Sequence, residues 1–164
     1  MKKVLLFILF MGFLFCITGC GEEDPMDDPF IQELENYSFK DHLQCTKSEE
    51  KISYKIDVFQ DPETYEVLFG SLTETYDIYP YDNQGNFNGF DPEKEYCSDY
   101  EKDSFSKCKA DMYNVGEGEK YNQARARYYY KKDVLNPDNE FDKDALDNLK
   151  EITEEDGYFC EIFR

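Results

Sequence analysis

Four cysteines constrain this chain most: Cys45, Cys97, Cys108 and Cys160, spaced 52, 11 and 52 residues apart. An even set in an exported chain reads as two disulfides, with three possible pairings. Zinc is the rival use of such a set. It requires closely spaced pairs such as Cys-x-x-Cys, and none occurs here. Thiol catalysis needs a neighbouring base, and the one histidine is His42. Disulfides also require an oxidising compartment, so the address of the chain decides the matter.

The first twenty residues supply that address. Lys2 and Lys3 precede a nearly pure apolar run over residues 4–17. A membrane span needs roughly 20 such residues; a shorter run behind two lysines fits the core of a signal peptide. The run ends in Ile17-Thr18-Gly19-Cys20, which looks like a bacterial lipobox. Residues 1–19 are therefore expected to be removed, and the Cys20 thiol to carry lipid, with the freed amine open to acylation. One acyl chain holds a protein only marginally, whereas the two of a diacylglyceryl group hold it firmly. The expected location is the cell membrane, facing the extracytoplasmic side. Cys16 leaves with the signal peptide and receives no role.

Cys20 opens the tether of residues 20–30, which continues Gly21-Glu22-Glu23-Asp24-Pro25-Met26-Asp27-Asp28-Pro29. Two prolines and many carboxylates keep such a stretch extended and repel it from anionic headgroups. Without residues 1–19, 37 acidic side chains face 16 basic ones, a net charge of -21. That argues against a nucleic-acid binder, which needs a basic face for phosphates. Aromatic residues make up 17% of the chain, too many for a disordered acidic tail. Residues 31–164 are expected to fold as a single domain.

Within that domain, Asp28 and Pro29 can start a helical turn or two through residue 36. Residues 37–46 read as a first strand. Ile52, Tyr54, Ile56 and Val58 alternate with Ser53, Lys55 and Asp57, the cleanest half-buried strand in the chain. Residues 65–79 are extended, with a change of phase near Gly70 that suggests a bulge. Asp91-Pro92 starts a helix, placing Tyr96, Tyr100 and Ser104 on one stripe with Cys97 beside it. Residues 108–115 and 121–134 read as a strand pair turning at Gly116-Glu117-Gly118. Residues 142–156 form the last helix, with Ala145, Leu149 and Ile152 inward and Gly157 as its stop. The apolar end around Tyr158, Phe159, Cys160, Ile162 and Phe163 should dock on the sheet.

This order predicts an α+β domain: an antiparallel sheet of about four or five strands, two helices packed on one face, and disulfide crosslinks. The favoured pairing is Cys45–Cys160 with Cys97–Cys108. Cys97 on a helix can face Cys108 on the next strand if the turn falls between them. A single helix from 97 to 108 would hold them about 16 Å apart and forbid the bond.

The lipobox, the "CTKSEEK" opening of the meander, the cysteine placement and the C-terminal "GYFC" together resemble small lipoproteins of low-GC Gram-positive bacteria, of the YehR-like kind. The likeness covers most of the mature chain in layout. The loop around residues 80–92 and the long 108–134 hairpin look like local elaborations. The resemblance implies the fold and the address, and it brings no established activity with it.

Chemistry is sparse. An EF-hand register starting at Gln84 places Asn86, Asn88, Gly89 and Glu95 suitably but begins on a neutral amide. Starting at Asp82 puts Phe87 where glycine is needed. A polar turn leading into a capped helix is the simpler reading. Paired carboxylates can hydrolyse glycosides, yet so acidic a chain contains such pairs by chance. No nucleophile elbow, phosphate loop or His–Glu metal helix occurs. No enzyme, cofactor or metal is therefore expected. Tyr128-Tyr129-Tyr130 alternates, so Tyr129 shares an outer face with Arg125 and Arg127. These three are the ligand-binding candidates of a module that engages an envelope ligand or protein; the alternatives are an envelope hydrolase using acidic residues and a calcium-binding surface protein.

Overall fold

The computed structural model describes residues 34–115 and 120–164. Signal peptide, Cys20, tether and the Gly116-Glu117-Gly118 turn lie outside that range. The chain divides into two units, residues 1–38 and 39–164. Of the first, the described residues form one turn, in which the Tyr37 and Ser38 amides donate to the Leu34 and Glu35 carbonyls.

The second unit is an antiparallel sheet. Its strands are β1 (Asp41–Ser48), β2 (Ile52–Gln60), β3 (Val67–Asp77), β4 (Phe105–Tyr113), β5 (Gln123–Tyr130) and β6 (Phe159–Phe163). Their order across the sheet is β4-β5-β3-β2-β1-β6. This is α+β as expected, with six strands in place of four or five, because the apolar C-terminal end pairs with β1 as a full edge strand. Among the described residues three short α-helices accompany the sheet: α1 (Pro92–Tyr96), α2 (Lys132–Leu135) and α3 (Ala145–Glu155). They touch different parts of it, α1 beside β4 and β5, α2 beside β3, and α3 beside β1 and β6. The expected pair of helices packed together on one face is not formed.

Both disulfides have the expected pairing. Cys45 and Cys160 are directly opposed across β1 and β6, 4.1 Å apart at Cα. Cys97, the residue that ends α1, bonds to Cys108 in β4, 5.5 Å away at Cα. The register places Cys160, Cys45, Ile56, Leu72, Tyr128 and Cys108 in a single row across all six strands. Around one end of the row, Leu43, Cys45, Val58, Val67, Leu146 and Cys160 form a buried cluster; around the other, Cys108, Ala110, Ala126 and Tyr128 form a second.

Local chemistry explains where elements stop. Asp91 caps α1 by accepting from the Glu93 and Lys94 amides, as the Asp-Pro pair implies. The helix then ends at Tyr96, so Tyr100 and Ser104 lie in the loop beyond it rather than on its stripe. In α3 the buried residue is Leu146, flanked by half-buried Ala145 and Leu149; Ile152 is 61% exposed. The inward face is thus turned one residue from the expected stripe. Gly157, at φ +86°, ends the helix, a left-handed position that suits glycine.

The bulge in β3 falls at Leu68, where the register jumps from Phe59–Phe69 to Gln60–Val67. Gly70 answers a different need. A Cβ there would meet Leu135 at 2.8 Å, so glycine lets α2 approach the strand. The buried Asn136 side chain then takes both backbone groups of Val67, at 2.9 and 2.8 Å. It satisfies that strand end as another strand would. Among the described residues no helix is long and apolar enough to cross a membrane.

Candidate functional site

Arg125, Arg127 and Tyr129 do share a face of β5, directed away from Tyr128 and the two clusters. Arg127 and Tyr129 are nevertheless buried, at 4% and 6% exposure. Arg127 Nε donates to Thr73 Oγ1 at 3.3 Å. Tyr129 packs edge-on against Phe69 and lies beneath the Lys107 ammonium, 4.9 Å from the ring centre. The Arg125 guanidinium stacks over Tyr113 at 4.2 Å. Neighbouring strands supply partners to all three.

The same face holds Asp57, which alternation assigns to solvent and the fold buries completely. One oxygen, Oδ1, lies 2.9 Å from His42 Nε2, 3.1 Å from Lys55 Nζ and 3.4 Å from Gln44 Nε2. The His42 ring is itself stacked on Phe59 at 4.1 Å. Among the described residues, Asp57 Oδ2 and the hydroxyl of its cross-strand neighbour Ser71 have no hydrogen-bond partner. Burial by itself pushes this carboxyl up; the bonds from His42 and Lys55 outweigh it and hold the group below the usual carboxylate range. A lowered folded value means stability present above the unfolded value, about 3.9, and lost as pH falls through the folded one. Asp57→Asn is accordingly expected to lose on the order of 1–3 kcal/mol at pH 7, with the deficit shrinking toward pH 2. Urea midpoints at both pH values test this. A deficit independent of pH would show that the charge contributes nothing.

The Asp82–Glu95 stretch is a turn that uses its own oxygens. Asp82 Oδ1 accepts from the Gln84 and Asn86 amides, and Oδ2 from Asn86 Nδ2. Asp91 caps α1. Among the described residues no group of three or more His, Cys, Asp or Glu is placed to hold a metal ion.

A concavity lies where α1 and the loop after it meet the sheet. It measures about 320 Å³. Leu72 and Glu74 of β3, Phe105 of β4 and Tyr128 of β5 form its sheet side; Tyr96, Tyr100 and the carboxylates of Glu95, Asp99 and Glu101 form the other. Among the described residues no basic side chain lines it. Glu74 stands on the same strand face as Leu72 and Tyr76, a charge at an inward position. The Tyr76 hydroxyl donates to Glu74 Oε2, and Tyr128 Oη lies 3.0 Å from the same oxygen and 3.2 Å from the Tyr96 carbonyl. Tyr76 stacks on Tyr96 at 4.1 Å, which fixes that wall. Burial first, and then the Glu74 charge, push both phenols well above the usual tyrosine range. They remain protonated donors through neutral pH, both directed at Glu74 Oε2.

Sequence reasoning missed Glu74, Tyr76 and Tyr96 as a site. The available signal was an acid at an inward position, between Leu72 and Tyr76, in a strand of period two. Compared with family models, with curated proteins and with solved structures, the chain matches none.

Proposed function

We propose that this chain is a lipid-anchored extracytoplasmic protein that works as a binding module at the cell envelope. The observation that carries the binding reading is the cleft between α1 and the sheet. Its rings and its oriented Glu74 are positioned by strands and a disulfide-tied helix, and a binding site needs such support. The anchor reading rests on Ile17-Thr18-Gly19-Cys20 behind a short apolar run. The acidic tether holds the module off an anionic surface.

Two measurements test the halves separately. Cys20→Ser is expected to abolish incorporation of labelled palmitate and to move the protein out of the membrane fraction. Retention of the label would remove the anchor. For binding, a thermal-shift screen of the oxidised protein spans calcium, sugars, peptides, amines and cell-wall fragments. A ligand at a hundred times its Kd adds about 2.7 kcal/mol, a shift of several degrees in a domain of this size. A cooperative melt that no ligand moves would reject the small-ligand reading and direct the search to membrane protein partners.

A further inference from the structure

We infer that the cleft beside α1 binds an organic cation: a protonated amine or guanidinium group on a short alkyl chain. The inference rests on the reading of the cleft as a binding site and specifies its ligand. Three independent features carry it. First, Glu74 is a partly buried carboxylate whose hydrogen-bond donors are two neutral phenols. Among the described residues it has no ion-pair partner, whereas Asp57 of the opposite face has His42 and Lys55. A carboxylate in such a place gains most from a cation delivered by a guest. Second, the walls are aromatic. Tyr96, Tyr100, Phe105 and Tyr128 line the cleft, and aromatic rings attract ammonium and guanidinium groups. The Lys102 ammonium already lies 5.9 Å from the Tyr100 ring centre. Third, the size fits. At about 30 Å³ for each water displaced, the 320 Å³ space holds a guest of about ten heavy atoms. That matches a diamine or an arginine side chain and is small for an oligosaccharide.

The rim extends the same logic. Glu95, Asp99 and Glu101 add negative potential around the opening without a lysine or arginine in the lining. Such a rim draws cations inward and repels anions, and salt screens the attraction. A neutral polyol of equal length would gain the ring contacts and miss the charge.

The probes are cadaverine, agmatine, the neutral isostere 1,5-pentanediol and the peptide acetyl-Gly-Arg-Gly-amide. Each is titrated into the full oxidised chain in detergent by calorimetry, with tyrosine ring resonances reporting the site. Cadaverine or agmatine is expected to saturate at least tenfold more tightly than pentanediol and to weaken as salt rises. Glu74→Gln is expected to lower amine affinity at least tenfold and to leave pentanediol unchanged. If that variant melts without cooperativity, the exposed pair Asp99→Asn with Glu101→Gln takes its place, with a threefold or larger loss expected. Tighter binding of the peptide than of agmatine assigns the cation to a polypeptide side chain; the reverse order assigns it to a free amine, and both support the inference. Equal uptake of cadaverine and pentanediol, or amine affinity unmoved by Glu74→Gln, overturns the cation inference while leaving the cleft a binding site. Failure of every probe, and of the wider screen, overturns both.

Discussion

Replacing Cys45 and Cys160 together with alanine lowers the unfolding free energy by about 4–5 kcal/mol, the loss expected for opening a loop of this length in the chain-entropy model. The two residues are 115 apart in sequence and directly opposed in space. Both sulfurs sit within the cluster around Leu43 and Leu146, with Cys45 wholly buried. Opening Cys97–Cys108 releases only 11 residues and costs about 3 kcal/mol by the same logic. Domains of this kind have about 5–15 kcal/mol in total, so the long crosslink accounts for a large share. Urea unfolding of the two double variants at pH 7 measures the difference. A larger loss from the short crosslink than from the long one would show that local packing, and not loop closure, sets the cost.

Leu146→Ala is expected to cost about 3 kcal/mol, within the range for deleting a buried leucine side chain and leaving a cavity. Leu146 is 1% exposed and packs with Leu43, Val58, Val67 and the Cys45–Cys160 pair. It is also the one fully buried residue of α3. Eleven residues are too few to hold a helix in water without tertiary contacts, so α3 depends on this side chain. Ile152→Ala on the same helix, at 61% exposure, is expected to stay within about 0.5 kcal/mol. Denaturant curves with helical ellipticity as the probe separate the two. Equal losses at both positions would mean that α3 seats on a different face.

Much of this arrangement is visible in the residues themselves. The alternation from Ile52 to Val58 marks β2, and Asp91-Pro92 and Gly157 mark a helix start and a helix stop. Cysteine spacing and the expected helix–strand turn favour, among three pairings, the one that forms. Other features depend on contacts distant in sequence. Phe159–Phe163 becomes a strand only because β1 has a free edge to receive it. The stop of α1 at Tyr96, just before the residue bonded to β4, is not announced by helical periodicity. Asp57 occupies a position that period two gives to solvent; partners on β1 and β2 surround it. Arg127 and Tyr129 follow the same rule, half-legible as a shared face and illegible as buried. For the cleft, Glu74 carried a local signal. Its distant partner Tyr128 is 54 residues further on, and Tyr96, which packs on Tyr76 beside it, is 22 further on; only the fold brings them together.

The pairing of β1 with β6 has a consequence for how the molecule is made. A chain synthesised from its N-terminus presents β1 first and its covering strand last. The β1–β2–β3 meander and the β4–β5 hairpin can assemble as they emerge, since their partners are near in sequence. Cys45 must wait until residue 160 has appeared. During that interval the thiols within reach are Cys97 and Cys108, which belong to each other. An oxidant acting early therefore meets a choice that the finished fold does not offer. Correct closure depends on α1 and β4 claiming their own pair first, or on later exchange through mixed disulfides. The last five-residue strand thus acts as the molecule's completion signal: only its arrival gives Cys45 its proper partner.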